Sequence, residues 1–103
     1  MDQARRLEFH QALVALLGSE YVYFQPPPDR QMVYPCIVYE RDSQSIKRGD
    51  NIAYNARQRY QVTYIDRDPD GDKIKALTEF PLSAFSRRFA TSGLNHDVYS
   101  IYY

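Results

Sequence analysis

The chain has 103 residues, and its thirteen Lys and Arg are balanced by thirteen Asp and Glu, so the formal net charge is zero and the pI is about 6.7. Leu, Val, Ile and Phe make up 24 of the 103 residues, above the roughly 20% below which a highly charged chain reads as disordered, and one folded domain spanning 1–103 is expected. No apolar run approaches the roughly eighteen residues of a membrane helix, and Asp2, Arg5, Arg6 and Glu8 make the start unlike a secretory signal.

Asp2 is placed to cap a helix whose apolar residues Leu7, Phe9, Leu13, Val14, Leu16 and Leu17 fall on one half of a 3.6-residue wheel, opposite Arg5, Glu8, Gln11 and Ala15. Gly18 supplies the stop. Tyr21 to Phe24 is a short strand-like run ended by Pro26, Pro27 and Pro28, which have no amide hydrogen to continue a ladder. A loop follows, and residues 35–42, with β-branched and aromatic content, form the next strand. From Ser43 to Ala56 the chain has turn formers and no periodicity, so a long connection is expected there.

Arg57 to Asp66 alternates clearly, with Tyr60, Val62 and Tyr64 on one face and Arg59, Gln61, Thr63 and Ile65 on the other. Asp68 followed by Pro69 has the form of a helix cap with proline in the first helical position, and a second helix then runs through Ile74 and Leu77 to about Phe80, where Pro81 ends it. Phe85, Arg87 and Phe89 alternate with Ser86, Arg88 and Ala90. With Val98 to Tyr103 they form a hairpin about the turn TSGLN. The order α-β-β-β-α-β-β has too few helices to separate every strand pair. It implies an α+β fold, a largely antiparallel sheet with two helices on one face.

Several chemistries can be weighed against these elements. Asp66-x-Asp68-x-Asp70-Gly71 matches the opening of a calcium-binding EF-hand loop, but the ninth and twelfth positions are Ile74 and Leu77, Pro69 interrupts the loop, and a strand precedes it. It reads as a strand-to-helix turn. Cys36 alone allows neither an internal disulfide nor a structural zinc site, and a reducing compartment follows. Cys36, His10 and His96 lie in no nucleophile motif, and no metal, cofactor or catalytic residue is expected. The four glycines stand apart, so no phosphate loop forms. Arg57, Arg59, Tyr60 and Tyr64 mix cations and rings as single-strand-binding sheets do, yet Arg59 and Tyr60 point to opposite faces and the net charge is zero. Ten tyrosines without a tryptophan suit a sheet, an interface or both.

The segments LLGSEYVYFQPPP, MVYPCIVYERD, RYQVTYIDRDPDGD and FPLSAFSRRFATSGLNHDVYSIYY, in this order, resemble the small tail-terminator or tail-completion proteins of long-tailed bacteriophages and prophages, some labelled head-tail joining or minor structural proteins. The similarity spans nearly the whole chain; Val22 to Pro27, Tyr34-Pro35 with Ile37 to Tyr39, Tyr60 to Pro69, and Leu94 to His96 are its most specific pieces. The resemblance implies a non-enzymatic protomer that assembles in the bacterial host cytoplasm, commonly as a homo-hexameric ring, on the head-proximal end of the tail tube. There it touches the tail-tube protein and the head-completion or connector protein of the virion neck, with no cofactor, no membrane and DNA only in transit. Lys47, Arg48, Asp50 and Asn51 are the expected interface residues. Asp66, Asp68, Asp70 and Asp72 line the lumen or form a solvated acidic turn. A head-completion role in the connector, and a small nucleic-acid-binding regulator, are the alternatives.

Overall fold

The computed structural model describes residues 2–42, 58–71 and 73–103. Seven elements follow one another: α1 (Asp2–Leu17), β1 (Val22–Phe24), β2 (Cys36–Arg41), β3 (Arg59–Asp66), α2 (Lys73–Thr78), β4 (Ser83–Thr91) and β5 (Leu94–Tyr102). The expected α+β order is the observed one. The strands form one mixed sheet in the order β1-β2-β3-β5-β4, parallel between β1 and β2 and antiparallel elsewhere. Parallel neighbours need a crossover, and the proline-bearing stretch between Phe24 and Cys36 provides it without a helix.

Register assigns the faces. Val22, Ile37, Tyr64 and Asp97 lie in one row across the sheet, and Phe24, Tyr39, Val62 and Tyr99 in the next. Residues of this face form one core with Phe9, Leu13 and Leu17 of α1 and Leu77 of α2, all buried, so both helices pack on it. Phe9 is fully buried, with ring centroids 4.7 Å from Tyr60, 4.9 Å from Tyr103 and 5.5 Å from Tyr39. Truncating such a residue to alanine costs about 3–5 kcal/mol.

Three expectations are corrected. Leu7 is 48% exposed, because the buried stripe of α1 follows the four-residue steps Phe9, Leu13, Leu17 and Leu7 lies off that line. The second helix begins at Lys73 rather than behind an Asp68-Pro69 cap. Asp68 donates its N–H to Asp66 Oδ1 (3.1 Å) and Asp70 its N–H to Asp68 Oδ1 (2.9 Å), so two successive side-chain turns occupy residues 66–70 and the chain becomes helical only at Lys73. Phe85 and Phe89 do not share a face. A β-bulge between Phe85 and Arg87 places Phe85 opposite Tyr99 on the helix-bearing face and Arg87 and Phe89 opposite Val98 and His96 on the other.

Four of the nine tyrosines among the described residues build the core. Tyr39, Tyr60, Tyr64 and Tyr99 are fully buried. Three of their hydroxyls have named partners: His10 for Tyr39, Asp66 for Tyr64, and Thr78 with the Ile74 carbonyl for Tyr99. A ring that fills apolar space while its tip is satisfied avoids the 1–3 kcal/mol or so that an unpaired buried polar group costs.

Candidate interaction site

The two edges of the sheet differ. β1 is three residues long and runs into Gln25 and the prolines, which cannot extend a ladder. β4 is nine residues long, and every residue from Ala84 to Thr91 is exposed. Edge strands of this length are usually covered or shortened, because their outward backbone groups template another strand.

β4 stands out from the core on a hairpin. Thr91 pairs with Leu94 across Ser92 and Gly93, whose φ angles of 53° and 75° give the two left-handed positions that a tight hairpin turn requires. The strand displays Phe85 (55% exposed) and Phe89 (41% exposed), each resting on a β5 ring. Phe85 meets Tyr99 edge-on at 5.5 Å, and Phe89 stacks on His96 at 4.5 Å. The Arg87 guanidinium lies 5.7 Å from the Phe89 ring centre. On the helix-bearing face, Arg88 Nε lies 3.4 Å from Asp97 Oδ1, and Arg88 Nη2 donates to the Pro69 carbonyl. Asp97 is almost completely buried, and that burial pushes its carboxyl above the ordinary range, against the pull of Arg88 and His96. Each face of β4 thus shows one aromatic ring and one guanidinium.

The acidic turn beside this hairpin is held internally. Asp66 Oδ2 accepts from the Tyr64 hydroxyl at 2.5 Å, Oδ1 accepts from Asp68 N–H, and its backbone carbonyl accepts from Asn95 Nδ2 at 3.3 Å. Asp68 and Asp70 are exposed, so the turn has the solvated form; Asp72 lies outside the described residues. Gly71 closes it because an added Cβ would sit 2.8 Å from both Asp66 Oδ2 and the Tyr64 hydroxyl. Among the described residues, no three His, Cys, Asp or Glu side chains converge as a metal site would require.

The other sequence candidates scatter. Lys47, Arg48, Asp50 and Asn51 lie outside the described residues. The strand ends flanking their segment are joined by the Arg59–Asp42 ion pair at 3.2 Å and by Gln58 Nε2 donating to the Asp42 carbonyl. Tyr60 and Tyr64 are core residues turned away from Arg59, so those three do not make a stacking surface. Cys36 is fully buried, and burial pushes its thiol up to about 12. Phe85, Arg87, Arg88 and Phe89 were legible only as a hairpin strand; the signal for more was that neither face of SRRFAT is uniformly apolar, which suits an edge and not a central strand.

No protein-family model, curated protein or solved structure matches the chain. No helix among the described residues is long and apolar enough to cross a membrane.

Proposed function

We propose that this chain is a structural virion protein, a tail terminator that caps the head-proximal end of a phage tail tube as a homo-oligomeric ring, ends tube polymerisation and receives the head. The observation that carries the reading is the open β4 edge with Phe85 and Phe89 exposed on it: a long, ring-bearing edge is a surface for protein contact, here with a neighbouring tail or neck protein rather than between subunits of the ring. The α+β protomer and the chain-wide resemblance to tail-completion proteins support the same assignment. A heterologous contact repeated by rotation closes a ring, and several subunits acting together turn weak contacts into a lasting cap.

The test is deletion of the gene from its phage or prophage and electron microscopy of the lysate. Overlong tubes lacking heads, corrected by the wild-type gene, are the expected outcome. Tubes of normal length accompanied by leaking heads would transfer the chain to the connector. Tubes and heads of normal form, with tight DNA binding by the purified chain at low salt, would make it a nucleic-acid-binding regulator instead.

A further inference from the structure

In an antiparallel pair, successive residues turn their N–H and C=O alternately toward the partner strand and away from it. Two anchors set the phase in β4. The Leu82 carbonyl accepts from Tyr102 N–H at 3.2 Å at one end, and the Thr91 and Leu94 pair closes the two-residue turn at the other. Counting inward from both anchors, with the extra residue at the bulge, Ser83, Phe85, Arg88 and Ala90 face away from β5. Ser83 gives its N–H to the Phe80 carbonyl at 3.2 Å. Phe85, Arg88 and Ala90 remain as an outward row of donors and acceptors on a strand exposed from Ala84 to Thr91.

A second copy of this chain is a poor occupant. Antiparallel pairing of β4 with itself about the middle of the strand sets an arginine opposite its own copy, and like charges directly opposite are destabilising. The bulge also puts Phe85 and Phe89 on opposite faces, so the rings cannot pair across such a junction. The other edge, β1, offers three uncharged residues. The exposed charges on β4 itself are both arginines; Arg88 is engaged by Asp97 and the Pro69 carbonyl, and Arg87, on the other face, is the cation an incoming strand meets.

We propose that β4 is a strand acceptor for a partner protein of different sequence. It takes an extended acidic segment as a sixth strand, bonded backbone to backbone at Phe85, Arg88 and Ala90, with a carboxylate beside Arg87 and apolar side chains against Phe85 and Phe89. Main-chain bonds supply affinity in this mode, and the alternating side chains supply selection. The inference rests on the assembly reading above for the existence of a partner; its chemistry is tested on the isolated chain.

The experiment is amide NMR and hydrogen exchange on the full chain with three synthetic β-forming peptides of equal length, carrying Glu, Lys or Ser at the same alternate positions. The Glu peptide is expected to protect the amides of Phe85, Arg88 and Ala90 and to bind about tenfold more tightly than the Lys peptide, with Arg87→Glu reversing that order. Equal binding of the three peptides, or protection elsewhere, overturns the proposal. So does protection of those amides in the free chain that rises with its concentration, which would make a second copy the occupant. If Arg87→Glu does not fold, the wild-type exchange pattern decides. Failure here with normal tube capping leaves the tail-terminator reading standing, whereas success here with no effect of gene deletion on tubes removes that reading alone.

Discussion

His10 Nδ1 and the Tyr39 hydroxyl stand 2.7 Å apart, a contact that ties α1 to β2 at the margin of the core. Arg6, one turn earlier on α1, lays its guanidinium over Phe24 at 4.3 Å, and its charge opposes the rise that burial gives the Tyr39 hydroxyl pKa.

Burial first, and Arg6 second, hold the His10 pKa below its ordinary 6.5. The unfolded chain therefore takes up this proton more readily than the folded one. Stability should fall as pH drops from about 6.5 through the folded value, and be unaffected by this group above it. Denaturant titrations on either side of pH 6.5 should show that loss in the wild type and a flatter response in His10→Gln. Tyr39→Phe should cost about 1 kcal/mol at neutral pH.

Asp97 has the opposite sign. Its carboxyl pKa is raised, chiefly by burial, so the folded state holds the proton at pH values where the unfolded chain has released it. Its contribution is greatest below the ordinary value of 3.8 and is lost as pH rises through the folded value. Asp97→Asn should therefore flatten the stability curve on the acid side without shifting the decline near pH 6.5, again read by denaturant midpoints.

Gly71→Ala should destabilise by about 1–3 kcal/mol, because the new methyl group meets the bonded Tyr64 and Asp66 pair. Combining it with Tyr64→Phe, which removes one of the two crowding oxygens, should recover part of that loss. Simple additivity of the two costs in thermal denaturation would show that the crowding is not there.

Cys36 should be inert in the native protein. Fully buried, with a thiol pKa pushed up to about 12, it presents almost no thiolate at neutral pH. A thiol reagent followed by mass spectrometry should modify it only under denaturing conditions, and rapid native labelling would contradict its placement in β2.

Where side-chain pattern and backbone pairing agree, the fold could be read from residues alone. Tyr60, Val62 and Tyr64 alternate cleanly because β3 is central and one face is sealed by helices. The spacing of Phe9, Leu13 and Leu17 announced α1. Asp68-Pro69 misled because the cap motif and the side-chain turn use the same residues, and the acceptor that decides between them, Asp66, is itself anchored by Tyr64. The bulge at Ser86 leaves no compositional trace, since it is a property of the pairing between two strands. It hid the fact that Phe85 and Phe89 belong to different faces, and with it most of the candidate site. The expected interface residues Lys47, Arg48, Asp50 and Asn51 fall outside the described residues.

The inequality between β1 and β4 has a consequence for behaviour at high concentration. Fibrils that grow by continuous backbone pairing need each molecule to offer a receptive border on both sides, as links in a chain need two ends. Here one border is a three-residue stub running into proline, and the other sets an arginine against its own copy when it pairs about its middle. Crowded copies of this polypeptide should therefore stay free of runaway cross-β growth, even though one long margin of the sheet is permanently on offer.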